Sequence, residues 1–394
     1  MRIIIYDGNL KPSTFVRFLS ENLAKAGHTV YLAGKGKQMF VSKEKSGLRL
    51  LPVSTPGYVR GFLGFIISFL SIAFCCPSKF SFIIKLALKQ RSFVGRLSEF
   101  VFISRVYSVN PDIIHIQWST HIAVFRDIIK KGNIKFIVSF RGRMINISPF
   151  VDKKIAALYR ELFPEIEGFH AVSNSILENA GLFGADKGKA KVVYPAVNDT
   201  LFYGEEVETT FKKPDSILRI LSVGRQHWKK GYPVALDVCK TLKDKGINFI
   251  YTIIAGGDKE ELIYDIHDLG LENNIKLVDR LPHDEVLDVY RQSHLFLLPS
   301  FEEGVANVAL EAMAIGVPVI STNCGGMEEL IENDKNGWIV PVRDVGSMVR
   351  AVERFIAIPE KRIYEIVSEA RKTIEKNHLQ SMQTKRMIEL YKSI

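Results

Sequence analysis

Short apolar runs rich in β-branched residues alternate along the chain with stretches of helical period. In the first half the runs are RIIIYD (2–7), HTVYLA (28–33), DIIHIQ (112–117), KFIVSF (135–140), GFHAVS (168–173) and AKVVYP (190–195). They are near-continuously apolar rather than alternating, which predicts strands of parallel sheets covered by helices on both faces. A charged stretch carrying Pro214, GEEVETTFKKPDSI (204–217), reads as a linker. The pattern then restarts with LRILSVG (218–224), NFIYTIIAGG (248–257), NIKLVD (274–279), HLFLLPS (294–300), PVIST (318–322) and WIVPV (338–342). The fold class expected is α/β, with two Rossmann-like doubly wound domains, 1–205 and 206–375, facing a cleft. Ligands of such sheets sit at the carboxyl ends of the strands. The last 35 residues read as helix, and the segment from about 376 to 394 is expected to pack back on the first domain.

Residues 57–110 interrupt this pattern. GFLGFIISFLSIAFCC (61–76) is uncharged for 16 residues and stops at Pro77. A spanning helix wants about 20 residues, so no transmembrane segment is expected. SKFSFIIKLALKQRSFVGR follows, mixing aromatics with Lys79, Lys85, Lys89, Arg91 and Arg96, with Lys85 and Lys89 one helical turn apart. Two readings stand. In one, 60–96 docks on an anionic membrane surface, with Phe62, Phe65 and Phe69 in the interface and Lys79, Lys85 and Lys89 at headgroups. In the other it is a helical hairpin packed on the first sheet.

Charge tips the balance slightly toward the membrane. Lysine and arginine number 53 against 43 acids, a net +10 that favours anionic partners. No nucleic-acid reading motif accompanies it, so nucleic acid is not an expected partner. MRIIIYDG reads as a strand from the first residues, so no signal peptide is expected. Cys75, Cys76, Cys239 and Cys324 lack metal-ligand spacing and fit a reduced setting. The expected location is the cytoplasm, peripheral on the inner face of the plasma membrane if 60–96 docks there.

The candidate chemistry begins at FEEGVANVALEAMAIGVPVI (301–320), where Glu303 and Glu311 flank a bland segment. In one continuous helix they would lie roughly 12 Å apart. HLFLLPS, however, reads as a strand and NVALEAMAIG as a helix, with Asn307 as N-cap and Gly316 and Pro318 as the stop. Glu303 then falls in the loop and Glu311 about one turn into the helix, where both can reach one wall. Gly304, Val305, Ala306 and Asn307 bring small side chains and backbone N–H groups to the helix start, a ready anion site. That suits a sugar nucleotide; two solvated charges would give the same short pattern. In VGRQHWKKG (223–231), Arg225 and Lys230 follow the first strand of the second domain, on the same sheet edge. They could neutralise a diphosphate or be surface charge, with Lys229 a solvated neighbour.

Taken together, SVGRQHWKKG, IIAGGDKEEL, RLPHDEVLDVYRQSHLFLLPSFEEGVANVALEAMAIGVPVISTNCGGMEELI and NGWIVPV resemble the donor domain of glycosyltransferase family 4. The likeness is strong over 218–345 and weaker in the first half, through PSTFVRFLSENLAKAGHTV, PDIIHIQW and VVYPAVNDTLF. It implies a retaining, nucleotide-sugar-dependent enzyme of GT-B architecture that builds polysaccharide. The expected donor is a UDP- or GDP-sugar, and the expected acceptor a glycan, lipid-linked in one reading. By the same resemblance Glu303 meets the donor sugar, Glu311 the ribose, and Arg225 and Lys230 the diphosphate. Two positions depart from the family. The glycine pair of the first loop, which by the resemblance meets the donor phosphate, is reduced to Gly8 in DGNLKPST, leaving Gly8 as the donor-binding residue there, and SFRGR places Arg141 where many relatives carry histidine. Arginine there could hold donor or acceptor but could not act as a base.

Gln117, Trp118 and His121 are candidates for the acceptor pocket, while His115 reads as a core histidine. His227, His283 and His294 form no ligand cluster. There is no Asp-x-Asp element, so neither metal nor other cofactor is expected. IIAGGDKEE lacks the dinucleotide fingerprint, which sets a dehydrogenase aside. A phosphorylase would need a lysine for pyridoxal phosphate, and no motif marks one. The remaining alternatives are a sugar-nucleotide epimerase of similar fold and a non-catalytic scaffold attached to the membrane.

Overall fold

The structure, a computed structural model, describes residues 1–36, 41–44, 47–54, 58–75, 77–90, 92–131, 134–204, 214 and 216–394. Contacts divide the chain into two compact units. One holds Met1–Ala171, Leu177–Val193 and Thr384–Ile394; the other holds Val172–Ile176 and Tyr194–Gln383. The expected domain boundary at 205/206, and most of the stretch read as a linker, lie outside the described residues.

Among the described residues the first unit has eight strands: β1 (Arg2–Asn9), β2 (Thr29–Lys35), β3 (Ser42–Lys43), β4 (Arg49–Ser54), β5 (Ile113–Ile116), β6 (Lys135–Phe140), β7 (Gly168–Ala171) and β8 (Ala190–Val192). Their order is β3-β4-β2-β1-β5-β6-β7-β8, parallel except for β3 against β4. Every residue of β5 and β7 is buried, as a sheet covered on both faces requires. The helix α1 (Thr14–Lys25) turns Val16, Leu19 and Leu23 inward at i, i+3 and i+7.

Three helices fill 57–110: α2 (Tyr58–Cys75), α3 (Pro77–Ala87) and α4 (Phe93–Ser108). In α2, Gly64, Ser68 and Ile72 form the buried stripe, while Leu63, Ile66, Leu70 and Phe74 are exposed. Among the described residues no helix is long and apolar enough to cross a membrane. Lys89 lies in the turn beyond α3, paired with Asp127, so it does not extend the helical face of Lys85. Phe65 is half-buried against Phe69 and Phe100. The side chain of Phe62, and Arg91, lie outside the described residues.

Among the described residues the second unit has six parallel strands: β9 (Leu218–Val223), β10 (Phe249–Ile254), β11 (Ile275–Val278), β12 (Leu295–Leu298), β13 (Val319–Thr322) and β14 (Trp338–Val340). Their order is β11-β10-β9-β12-β13-β14. The helices α5 (Tyr232–Asp244) and α6 (Asn307–Ile315) follow β9 and β12. Among the parallel strands of each sheet the order reverses once, between β1 and β5 and between β9 and β12. Such reversals open a crevice at the strand ends for ligands. The last helix, α7 (Gln380–Lys392), carries Met387, Leu390 and Tyr391 into the core of the first unit.

Candidate active site

In the second unit the loops after β9 and β12 meet at the order reversal. A single 3₁₀ turn, Trp228–Lys230, is closed by the His227 side chain accepting from the Lys229 N–H. Gly231 follows at φ +65°, and a Cβ there would lie 2.0 Å from the Pro299 carbonyl oxygen. Only glycine permits that approach. The Phe301 N–H donates to the Lys229 carbonyl at 2.6 Å and locks the two loops. Lys230 Nζ consequently reaches Glu303 Oε1 at 2.7 Å, in a pair whose side chains are only 15% and 11% exposed. Ser300 Oγ donates to the same oxygen at 3.1 Å. On the far side Gly325, at φ +57°, would place a Cβ 1.8 Å from the Glu303 carbonyl oxygen, and the Gly326 N–H donates to Gly304 O at 2.7 Å. The 301–306 loop is thus clamped between two glycine turns.

The helix α6 begins at Asn307 itself and its N-cap is Ala306, which corrects the reading of Asn307 as the cap. Asn307 is exposed and its side chain makes no cap bond, because the chain already takes helical geometry there. Among the described residues, no group accepts from the backbone N–H of Val305, Asn307 or Val308. Gly304, Val305 and Ala306 form the floor of that helix start, with Val305 and Ala306 buried.

Glu311 stands on the second turn of α6, partly buried. Burial pushes its carboxyl up to about 7. Among the described residues it has neither an ion pair nor a hydrogen bond, whereas Glu303 has both. Arg225 is exposed just beyond β9. Lys229 is not merely solvated, since its ammonium lies 3.9 Å from Glu302. Ser300, Glu302, Gly231 and Gly325 were not singled out from the sequence. The glycines stand in quoted motifs (KKG, CGG), but the close approaches that demand them are long-range.

In the first unit, Gly8 lies at the carboxyl end of β1 with φ +88°, and a Cβ there would meet the His121 ring at 2.6 Å. Trp118 Nε1 donates to Asp7 Oδ1 at 2.6 Å, and Arg141 Nη2 to Gln117 Oε1 at 2.9 Å. The Arg141 guanidinium lies over the Phe15 ring, 4.4 Å from its centroid. Burial lowers Arg141 to about 10, against the opposing pull of Asp7. Burial likewise raises Asp7, against its bond from Trp118 and the charge of Arg141. Gln117 Nε2, His121 Nδ1 and Arg141 Nε are buried with no partner among the described residues. Asp7 and Phe15 were missed in the sequence; the only local signal for Asp7 is its place next to Gly8.

His115 is fully buried, with both ring nitrogens hydrogen-bonded, to Tyr391 and Ser139 at 2.7 Å each. Among the described residues no three His, Cys, Asp or Glu side chains cluster as metal ligands would.

Comparison with known proteins places these sites in context. Residues 13–201 match the family model described as Glycosyltransferase Family 4, and residues 205–373 match that described as Glycosyl transferases group 1. WcaL of Escherichia coli K12, named as a colanic acid biosynthesis glycosyltransferase, is 30% identical over 64% of this chain and 65% of its own length. The amylovoran biosynthesis glycosyltransferase AmsK of Erwinia amylovora is 37% identical over 44% of each chain. The chain therefore spans less than two thirds of the length of either relative.

Among solved structures, sucrose-phosphate synthase from Thermosynechococcus elongatus superposes with a TM-score of 0.77 at 16% identity, over 100% of this chain and 98% of that one. HepE of Anabaena, solved with UDP, gives 0.71 at 15% identity over 100% of both. At such identities the likeness shows a shared fold, the GT-B architecture of two Rossmann-like domains.

Proposed function

This chain belongs to the family 4 glycosyltransferases, and on that premise we propose that it moves a sugar, with retention, from a UDP- or GDP-sugar to a lipid-linked glycan in cell-surface polysaccharide biosynthesis. The observation that carries the reading is the Lys230–Glu303 pair, held at the order reversal of the second sheet by Gly231 and Gly325. Relatives named for colanic acid and amylovoran biosynthesis support the polysaccharide. A neighbour solved with UDP-glucose supports the class of donor.

The donor's diphosphate would lie against Arg225, Lys230 and the free N–H groups at the start of α6. Fixed positive charge at that point stabilises the leaving nucleotide as the glycosidic bond breaks, and it needs no reorganisation when the charge develops. Glu303, oriented by Lys230 and Ser300, meets the sugar hydroxyls, and Glu311 the ribose. Catalysis is then positioning plus electrostatics. In the first unit Gly8 is assigned to the donor, and Gln117, Trp118, His121 and Arg141, with Asp7 bonded to Trp118, to the acceptor or donor.

The enzyme works in the cytoplasm at an anionic membrane surface, which it meets through 60–96. No metal takes part. A screen of nucleotide sugars for nucleotide release, with and without lipid extract, tests the proposal. Release from one UDP- or GDP-sugar, lost in Glu303→Ala, is expected; no release from any donor overturns it.

A further inference from the structure

A second polar site lies in the first unit, between the inserted helices and the edge of the sheet. Here α2, α4 and β4 enclose a cavity of about 190 Å³. Its polar lining comes from Ser68 and Ser71 on α2 and from Ser104, Arg105 and Ser108 on α4. Ser68 and Ser104 are 2% and 1% exposed, and among the described residues neither hydroxyl has a hydrogen-bond partner. Arg105 is buried beside them and donates through Nη1 to the Pro52 carbonyl. No acidic residue is among the described residues that line the cavity.

This composition is costly for a structural core. A buried hydroxyl without a partner loses roughly 1–3 kcal/mol of hydration, and a buried guanidinium stays charged. Packing alone would favour Ala, Val or Leu at these helix positions. Two hydroxyl donors and a cation converging on one space are instead what an oxyanion requires. A water takes roughly 30 Å³ in the liquid, so the space holds a tetrahedral anion with a few further atoms.

We infer that this cavity binds a phosphate group, the Ser68 and Ser104 hydroxyls donating to its oxygens and Arg105 supplying the counter-charge. The group could arrive as a free phosphorylated small molecule or as a phospholipid head, and the experiment separates the two. Inorganic phosphate and glycerol 1-phosphate are titrated into the full chain by calorimetry. The titrations are repeated on Lys230→Ala, which removes a cation of the donor site. Saturable binding that survives Lys230→Ala and weakens at least tenfold in Ser104→Val, which removes the hydroxyl and narrows the cavity, is expected. Ser68→Ala, a smaller change, should weaken it several-fold and serves if Ser104→Val does not fold.

Sedimentation with phosphatidic acid or phosphatidylglycerol vesicles of equal charge gives the second arm. Capture by phosphatidic acid in excess of that by phosphatidylglycerol, removed in Ser104→Val and competed by glycerol 1-phosphate, assigns a lipid head. Binding of the soluble ligands without that excess assigns a free one. Absence of both the binding and the excess overturns the site, as does binding that Ser104→Val and Ser68→Ala leave unchanged.

Discussion

At the scale of single residues the two glutamates of the 301–320 motif differ in kind. Glu303 is held by Lys230 and Ser300, while Glu311 is desolvated with no described partner, and its carboxyl sits near 7. A carboxyl raised from its ordinary 4.5 favours the fold when protonated, and that contribution is lost as pH rises from 4.5 through 7. Donor binding has the opposite sense, because ribose hydroxyls donate best to the ionised form. Affinity for a nucleotide sugar should therefore rise between pH 6 and 8, by up to about tenfold per unit below 7. Glu311→Gln should be weaker and flat across that range. Calorimetry on both proteins at pH 6, 7 and 8 checks this; an equal slope in the variant would remove Glu311 from the ribose. On the proposed function Lys230 faces a different demand, since its cation, paired with Glu303, would also serve the leaving diphosphate. Lys230→Ala should lower kcat by at least ~100-fold, the scale of losing one oxyanion donor. Steady-state kinetics decide it on protein whose fold is verified by circular dichroism. A near-normal kcat with a raised KM would mean uniform binding instead.

At the scale of elements, α7 is tied to the first sheet by a chain of polar contacts whose direction follows from its last member. The Val193 carbonyl only accepts, so His170 carries its proton on Nε2, 2.9 Å away. His170 Nδ1 then accepts from Ser139 Oγ, which accepts from His115 Nε2, whose Nδ1 accepts from the Tyr391 hydroxyl on α7. Burial holds both histidines neutral, His170 near 3 and His115 well below its ordinary value. A depressed histidine contributes stability that is complete above 6.5 and is lost as pH falls. Urea unfolding should show the first unit weakening below pH 6.5, by up to ~1.4 kcal/mol per unit for each histidine. Tyr391→Phe strips His115 of its donor and should cost ~1–3 kcal/mol at pH 7; an unchanged midpoint would mean that α7 is held by its apolar face alone. None of this relay was legible in the sequence beyond His115 as a core residue, since its partners lie 24 and 276 positions away. All twelve strands read from apolar runs are present, because buried parallel strands carry their signal locally. The two strands not read, β3 and β4, are a two-residue edge and a run broken by Pro52. Glu303, Glu311 and Lys230 stood out as charges in bland or glycine-flanked motifs. Gly231 and Gly325 did not, because their necessity lies in carbonyls 68 and 22 residues away.

Over the whole molecule, charge divides more sharply than the net figure suggests. Residues 1–205 hold 28 of the 53 basic and 14 of the 43 acidic side chains, so the first half carries +14 and the remainder −4. Between Glu44 and Glu99 there is no acid at all, and this stretch contains α2 and α3. Leu63, Ile66, Leu70 and Phe74 on α2, Leu88 beyond α3, and Phe93 and Val94 at the start of α4 are exposed. Apolar exposure and unopposed positive charge on one inserted segment are the two components of interfacial binding. The lysines are not equivalent, however. Lys89 is paired with Asp127 and Lys79 lies over the Tyr107 ring, while Lys85 is exposed. Arg96 is exposed too, and donates to the Gln90 carbonyl. The pair to remove is therefore Lys85 and Arg96. Each cation near an anionic surface is worth ~1 kcal/mol, so Lys85→Gln with Arg96→Gln should weaken partition into phosphatidylglycerol vesicles by about 30-fold. Lys89→Gln should change it little. High salt should weaken the wild type and narrow the difference, because these charges act through solvent. Vesicle sedimentation at low and high salt reads all three effects. Wild type left in the supernatant under both conditions would make 60–96 an ordinary helical covering of the first sheet, and the acceptor would then have to be reached without the membrane's help.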